Sequence, residues 1–426
     1  MHRSGKHMTN VQGHSNMAGM ELLSPAGGME QLKAAVRFGA DAVYGGLTRF
    51  GLRASAENFD WQSLEKALAL VHKAGKRFYL TLNILPYDDE LGQLEQDARR
   101  AAEMGVDAAI VSDLGAFAML HKRVPELTLH VSTQANVMNA EAAGVFAALG
   151  AKRIVLSREL SLERIQELRA LIPDSVELEA FAHGAMCMAH SGRCMFSDFL
   201  AGRGGNRGAC AQPCRWEYTV LEAKRPDEPI PVMEDERGTY LFSAYDLNML
   251  SHLPEMQKAG ICSIKIEGRM KTAYYVAGVT HAYRKALDLL NKSEDKYRAA
   301  LPGLQEDLLK ISHRRSNTGF YFGAPQPASG AEGFYQNMEF SGRIVDRTDG
   351  AVLVEVKNRF HVGDPMEILS PGGISAFTVT RIVREDNKEE VDFVSVAGQR
   401  VWLDVDAPAE AGDYLRGPNR NHRMEG

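Results

Sequence analysis

The chain has 426 residues, of which 45% are apolar, and a formal net charge of −6 at pH 7. This length suggests two or three domains with a large core, and the mildly acidic balance excludes a uniformly basic coat for nucleic acid. No run approaches the roughly 18 apolar residues that a membrane helix needs, so we expect a soluble, cytoplasmic protein with no membrane partner.

The first predicted segment, residues 1–19, is polar, contains glycine and lacks the apolar centre of a signal peptide. We interpret it as a disordered leader or an expression tag and leave it out of the fold.

Residues 21–290 repeat one unit: a short apolar strand, a loop, an amphipathic helix and a glycine that ends the helix. Eight such units over about 270 residues are typical of a (β/α)8 TIM-like barrel, with a doubly wound open sheet as the alternative. The predicted strands are Glu21–Ser24, Ala42–Gly45, Phe78–Asn83, Ala108–Ser112, Thr128–Ser132, Arg153–Ser157, Glu177–His183 and Ser263–Glu267.

The barrel domain is predicted over residues 20–330, with a cysteine-rich insertion, residues 184–240, after the seventh strand. From Asn337 the apolar residues alternate with period two between Gly-containing turns, which predicts a small C-terminal antiparallel β-barrel over residues 335–426. Its last segment carries Arg416, Arg420 and Arg423. We interpret these as a solvated tail rather than a phosphate contact.

Four of the five cysteines lie close together in the insertion, at Cys187, Cys194, Cys210 and Cys214. In a reducing cytosol clustered cysteines more often bind metal than form disulfides. Zinc sites usually show paired C-x₂₋₄-C knuckles, which only the last pair approaches, so the spacing favours a 4Fe–4S cluster. Zinc, or cysteines without a metal, remain the alternatives, and Cys262 in an apolar strand is assigned to core packing.

Polar residues follow the predicted strands, and in a barrel these positions share the face where chemistry occurs. Several of them could equally be helix caps or structural ion pairs. The candidate site residues are Arg53, Gln134, Arg158, His183, Glu267 and Arg269, together with Arg207 in the insertion.

Two runs of the insertion carry a resemblance. E-x-F-x-H-G-A-M-C-M-A-x-S-G-R-C from Glu179 and N-R-G-A-C-x-Q-x-C-R-W-x-Y from Asn206 resemble the signature of the collagenase-like unclassified peptidase family. The similarity continues through ELLSPAG (21–27) and SIKIEGRMK (263–271) and covers nearly the whole chain. In lacking long extra domains the chain resembles members of this family that are implicated in forming 5-hydroxyuridine at the wobble position of tRNA with prephenate.

The resemblance implies that the four clustered cysteines ligate a 4Fe–4S cluster, that prephenate is the hydroxyl donor and that tRNA is the partner. It leaves open whether a paralogous subunit is also a partner. Prephenate is a dicarboxylate, and a guanidinium matches carboxylate geometry with paired donors. The expected substrate-binding arginines are therefore Arg53, Arg158, Arg207 and Arg269. Gln134, which follows a predicted strand at the same face, is also expected to bind the substrate.

His183 and Glu267 are the candidate proton-transfer residues. One alternative function is a peptidase, as the family's name implies, in which Cys187 or Ser191 would pair with His183 or His190. Another is a non-catalytic iron–sulfur protein that binds RNA or assists an assembly.

Overall fold

A computed structural model describes residues 19–53, 56–187, 190, 193–216, 234–235, 238–239, 245–323 and 335–420. Residues 1–18 of the expected leader, the predicted boundary at 330, Ser191 and Arg423 lie outside the described residues. Among the described helices, none combines the length and the apolar character needed to cross a membrane.

The first two thirds of the chain alternate strands and helices, as predicted. The elements are β1 (Glu21–Pro25), α1 (Met29–Arg37), β2 (Ala42–Gly46), α2 (Trp61–Lys73), β3 (Arg77–Leu82), α3 (Leu91–Glu103), β4 (Ala108–Val111), α4 (Leu114–Arg123), β5 (Leu129–Val131), α5 (Ala140–Ala148), β6 (Arg153–Val155), α6 (Leu162–Leu171), β7 (Glu177–Ala185), α7 (Phe196–Ala201), β8 (Glu234–Asp235), β9 (Gly238–Thr239), β10 (Asp246–Asn248), α8 (Leu253–Lys258), β11 (Ser263–Ile266), α9 (Ala273–Leu290), α10 (Glu294–Leu309) and β12 (Ser316–Asn317).

The strands close into a barrel. Strands β1 to β7 pair in order, and β11 pairs in parallel with both β7 and β1, so eight parallel strands form a ring in the described part of the chain. This confirms the predicted (β/α)8 fold and excludes the open sheet. Short strand β10 pairs antiparallel with the end of β7, where Asn248 lies opposite His183.

Local sequence explains where the helices begin and end. The side chain of Ser161 accepts the N–H of Arg164 and begins α6, and Asp113 accepts the N–H of Ala116 and begins α4. At the other ends, Gly39, Gly75, Gly105, Gly150 and Gly260 all have positive φ, as the predicted glycine stops require. A Cβ at Gly150 would also lie 2.4 Å from the ring of His121.

The barrel interior near the start of the strands holds a charged group of side chains, here named the basal charge cluster: Glu21, Arg153, Glu177, Glu179 and Lys265. Arg153 reaches three of the carboxylates at 2.5 to 3.1 Å. Lys265 completes the cluster by pairing with Glu179 at 2.9 Å. Each buried charge therefore has an opposite partner, which burial demands.

The C-terminal domain is antiparallel, as predicted. Its strands are β13 (Met338–Thr348), β14 (Ala351–Val356), β15 (Phe360–His361), β16 (Pro365–Ser370), β17 (Gly373–Thr378), β18 (Ile382–Arg384), β19 (Phe393–Val394), β20 (Arg400–Asp404) and β21 (Tyr414–Pro418). Among the described residues, seven of them form one sheet in the order β17-β16-β21-β13-β14-β20-β18, and β15 pairs with β19. The sheet encloses its own apolar core.

A buried ion network joins this domain to the barrel. Arg416 is 1% exposed and contacts Glu367 at 2.6 Å and Asp307 of α10 at 3.2 Å. The ring of Phe340 stacks on Tyr274 of α9, with centroids 4.9 Å apart. The expectation that Arg416 belongs to a solvated tail is therefore wrong, because β21 carries it into the interface between the domains.

Candidate active site

Two adjoining cavities lie at the C-terminal ends of the barrel strands. The lower cavity, about 50 Å³, is inside the barrel mouth, and the upper cavity, about 210 Å³, lies between the mouth and the cysteine-rich insertion. The two share part of their lining, including Arg53, Gln134, Arg158 and Glu267. Because barrel enzymes carry out their chemistry at this end of the strands, the two cavities form the candidate active site.

All four clustered cysteines line the upper cavity. Cys187 follows β7, Cys194 precedes α7, and Cys214 lies in a 3-10 turn, Pro213–Arg215, that follows Cys210. No disulfide joins any of them in the described structure. The fold thus gathers around one space four thiols that are separated in the sequence.

A close backbone approach seats the insertion over the mouth. Gly208 has φ +87°, and a Cβ there would lie 2.6 Å from the carbonyl oxygen of Gly51, in the loop after β2. Within the insertion, the Asn206 side chain donates to the carbonyl of Cys194 at 3.2 Å. Only glycine combines this backbone conformation with this proximity.

The thiols do not form a closed metal site. Across the described ranges, no three His, Cys, Asp or Glu side chains are arranged to hold a metal ion, and the Cys210 sulfur accepts the N–H of Gln212 at 3.3 Å. Four cysteines around one cavity are nevertheless the donor set that iron–sulfur clusters and structural zinc use. The four-cysteine donor set therefore fits such a group.

Arg207 anchors the insertion and does not line either cavity. Its guanidinium donates to Glu90 at 2.8 and 3.1 Å and to the carbonyl of Leu85 at 2.8 Å. It also lies 4.0 Å from the centre of the Tyr87 ring. The geometry therefore does not favour the expected role of Arg207 in substrate binding, because its donors are taken up by the loop after β3.

The lower cavity contains a second charged group, here named the mouth charge cluster: Arg53, Arg158, Glu267 and Arg269. Glu267 lies 3.5 Å from Arg53 and 3.6 Å from Arg158. Burial would raise the pKa of the Glu267 carboxyl, but Arg53, Arg158 and Arg269 together hold it below its usual range. Glu267 is therefore ionised at neutral pH, which disfavours it as a proton donor.

Arg269 is buried at the base of this cluster. It donates to Thr81 at 3.0 Å and to the side chain of Asn58. Burial lowers the pKa of its guanidinium to about 10. A Cβ at Gly46 would lie 2.7 Å from Nη2 of Arg269, so this glycine leaves room for the arginine.

The mouth charge cluster keeps an excess of positive charge. Three guanidinium groups face one carboxylate, and the Nε atoms of Arg158 and Arg269 are buried without an acceptor among the described residues. Arg158 otherwise donates to the carbonyl of Ala185 at 2.9 Å and lies 3.8 Å from the centre of the Phe181 ring. Buried donors without partners are costly unless a ligand satisfies them, so this cavity suits an anion.

His183 lies outside both cavities. It is 7% exposed and its ring contacts those of Tyr275 and Tyr283, with centroids 6.2 and 5.5 Å away. Burial lowers its pKa to about 4, so the ring is neutral at pH 7. The structure thus places this candidate for proton transfer behind the strand, as a core histidine.

Sequence reasoning missed several polar residues of the mouth. Tyr44 and Thr81 line the lower cavity, and Asn58 reaches Arg269 from the loop after β2. Period-two alternation along β3 could have shown that Thr81 faces inward. No local signal marks Asn58, whose φ of 56° and contact with Arg269 depend on the closed barrel.

The structure corrects the expectation that Cys262 packs in the core. It precedes β11, at the opposite end of the barrel from the cavities, and it is exposed. It is not the core residue that its apolar neighbours predicted, because it lies outside the strand, which begins at Ser263 as predicted.

Fold and site together define a (β/α)8-barrel protein with a four-cysteine cavity above an arginine-lined mouth. Residues 27–330 match Peptidase family U32, and residues 336–416 match the Peptidase family U32 C-terminal domain. The chain therefore belongs to this family, which confirms the resemblance found in the sequence.

Three relatives show the range of names in the family. The chain is 36% identical to tRNA hydroxylation protein P of Escherichia coli, covering 90% of this chain and 93% of that protein. It is 32% identical to the 23S rRNA 5-hydroxycytidine C2501 synthase of the same organism, covering 90% of this chain but 56% of that protein. It is 31% identical to a protein named Collagenase from Porphyromonas gingivalis, covering 94% of this chain and 98% of that protein.

Proposed function

We propose that this chain is an RNA-modifying hydroxylase that converts the wobble uridine of tRNA to 5-hydroxyuridine, with prephenate as the hydroxyl donor. The observation that carries the proposal is the excess of guanidinium groups in a cavity that opens directly below four cysteines. Relatives named for tRNA hydroxylation and for rRNA hydroxycytidine synthesis support the RNA substrate.

The mouth charge cluster is suited to hold prephenate. Its two carboxylates would take up the free donors of Arg158 and Arg269, while Glu267 keeps Arg53 and Arg158 in position. The lower cavity is small, so the substrate would extend into the upper one past Gln134, which lines both. Prephenate would then lie with one end under the cysteines.

In this proposal Cys187, Cys194, Cys210 and Cys214 hold a 4Fe–4S cluster, which when bound supplies redox-active iron beside the substrate. In this proposal the anion site lies next to these cysteines, because Arg53 and Glu267 line the upper cavity together with all four of them. Met186, Phe196 and Met270 add apolar walls to the upper cavity, where a base turned out of an RNA loop could pack.

Mass spectrometry of tRNA nucleosides tests the proposal. A strain without this gene should lose 5-hydroxyuridine, and the wild-type gene and a Cys262→Ser variant should restore it. Cys210→Ser should not, because it removes a cysteine of the upper cavity, whereas Cys262 lies at the other end of the barrel. Unchanged 5-hydroxyuridine in the absence of the gene would contradict the function.

Iron analysis separates the alternative cofactors. Protein purified without oxygen should contain about four irons per chain, and Cys210→Ser should lose them while Cys262→Ser keeps them. Colourless protein that contains one zinc per chain would show that the four cysteines bind zinc instead of an iron–sulfur cluster. Iron-containing protein that makes no 5-hydroxyuridine from purified tRNA and prephenate would indicate a non-catalytic partner.

The peptidase alternative has weaker geometric support. Of the proposed nucleophiles and bases, Cys187 and His190 both line the upper cavity, whereas His183 is buried elsewhere. Nδ1 of His190 lies 3.5 Å from Glu159. Collagen cleavage by the wild type, abolished by Cys187→Ser, would favour this alternative.

A further inference from the structure

A third cavity lies on the C-terminal domain, away from the barrel mouth. Its volume is about 470 Å³, and its lining includes Glu339, Lys357, Arg359, Phe393 and Arg420. It shares no lining residue with the two cavities of the candidate active site.

The charge of this cavity is mainly positive. Three cationic side chains and one carboxylate, that of Glu339, line it. Lys357 also contacts Glu355, and Arg420 lies 2.5 Å from Asp364. Arg359 is exposed and forms no ion pair with the described residues. A guanidinium left open at a cavity wall is a ready partner for an anion such as a phosphate.

An aromatic side chain forms another wall. Phe393 is 52% exposed, and its ring stacks on that of His361 with centroids 5.6 Å apart and an interplanar angle of 28°. An exposed ring beside cations is the combination on which proteins stack nucleic-acid bases while holding the backbone. A simple inorganic anion would not need the aromatic wall.

The position of the cavity links it to the active site. Asn358, which also lines it, donates to the carbonyl of Phe340 at 2.7 Å, and Phe340 stacks on Tyr274. Tyr274 lies in the first turn of α9, just after Met270 and Lys271, which line the upper cavity. The two cavities therefore lie towards the same end of the barrel.

The domain that carries the cavity is held firmly to the barrel. Besides the buried network of Arg416, Arg37 of α1 contacts Asp413 at 2.6 Å, and Arg343 of β13 contacts Glu30. With ion pairs at both ends of α1, the distance between the two cavities is set by the folded structure.

We propose that the C-terminal cavity binds the sugar–phosphate backbone and one unpaired base of the same RNA whose target base enters the upper cavity. This inference rests on the proposed function. Arg359 contacts a phosphate and Phe393 stacks on the base, so the two domains hold one RNA at two points. The C-terminal domain thereby helps to select an RNA in which both points can be reached at once.

Binding of a fluorescently labelled tRNA transcript to the full-length protein, measured by anisotropy at several salt concentrations, tests this proposal. Arg359→Ala and Phe393→Ala should each weaken binding about fivefold to tenfold. Arg359→Ala should also reduce the slope of log K against log salt by about 0.7 to 0.9, the value of one phosphate contact, while Phe393→Ala leaves it unchanged. Both variants should bind prephenate as the wild type does.

Arg347→Ala is the matched control, because it removes one exposed arginine from the same strand as Glu339. Eight residues separate the two, about 26 Å of extended strand. Wild-type affinity in both test variants, or an equal loss in Arg347→Ala, overturns the proposal.

Two further outcomes separate this inference from the proposed function. If the wild type hydroxylates tRNA but the test variants bind it normally, only the C-terminal site is wrong. If the wild type neither binds nor hydroxylates tRNA, both fail. A poly-glutamate peptide that bound as tightly as tRNA, with the same dependence on Arg359, would assign the cavity to an acidic protein instead.

Discussion

The basal and mouth charge clusters lie in the same barrel and differ in how well their charges are paired. In the basal cluster Arg153 meets Glu21, Glu177 and Glu179 at 2.5 to 3.1 Å. In the mouth cluster the ion pairs of Glu267 are 3.5 and 3.6 Å long, and two buried Nε donors have no acceptor among the described residues.

This difference separates structure from function. Removing the partner of a fully paired buried charge destabilises the fold strongly, because the remaining charge is isolated in a medium of low dielectric constant. A buried cluster with surplus donors is stabilised when an anion binds to those donors. We therefore expect the basal cluster to stabilise the barrel, and we propose that the mouth cluster binds a ligand.

The largest expected effect tests the basal cluster. Arg153→Met should lower the free energy of unfolding by about 3 to 5 kcal/mol, because buried Glu21 and Glu179 lose their shared partner. Urea denaturation at pH 7 measures this. Arg158→Met is the control, since Arg158 is also largely buried, and it should cost clearly less. Equal losses in the two variants would show that the two clusters contribute equally to the stability of the barrel.

The second prediction tests the mouth cluster. Arg158→Lys should lower kcat/KM for prephenate about tenfold or more, because lysine cannot supply the paired donors of a guanidinium. Steady-state kinetics of 5-hydroxyuridine formation measure it, and the melting temperature should be close to that of the wild type.

Arg269→Lys should cause a similar kinetic loss and should also lower stability, since Arg269 holds Thr81 and Asn58. Unchanged kinetics in both variants would place the anion site elsewhere in the mouth.

The third prediction concerns His183, which belongs to neither cluster. Its folded-state pKa of about 4 lies below the usual 6.5, so the unfolded chain binds the proton first as the pH falls. The stability contributed by neutral His183 is therefore present above pH 6.5 and is lost as the pH falls towards 4.

Between pH 7 and pH 5 the wild type should lose roughly 2 kcal/mol through His183. Over the same pH range, the free energy of unfolding of His183→Phe should fall by roughly 2 kcal/mol less than that of the wild type. Urea denaturation of each protein at both pH values measures this. Any contribution of His281, whose pKa is also lowered to about 4, stays in both proteins. An unchanged pH dependence in the variant, together with lost activity, would return His183 to the active site.

The smallest expected effect concerns an ion pair near the surface. Glu90→Gln removes the partner of Arg207, and both side chains are about 30% exposed. Exposed pairs contribute little, so the loss of stability should be about 0.5 kcal/mol. A loss as large as that of Arg153→Met would show that the anchoring of the insertion is essential to the fold.

The sequence by itself determined the barrel and the candidate site in outline. Apolar periodicity and helix-ending glycines such as Gly39 and Gly150 are local signals, because they depend on the geometry of a single element. Positions just after a strand must meet at one end of a closed barrel, so Arg53, Arg158 and Glu267 could be placed together without coordinates. The clustering of the four cysteines in one insertion was equally visible.

Only the tertiary structure decided which of the polar residues face the cavities and which have partners elsewhere. Arg207 pairs with Glu90, 117 residues away in the sequence, and His183 turns towards Tyr283, 100 residues away. Arg416 is buried against Asp307 of another domain. A residue's partners are set by which loops and helices meet when the barrel closes, and a local pattern carries no information about contacts of that range.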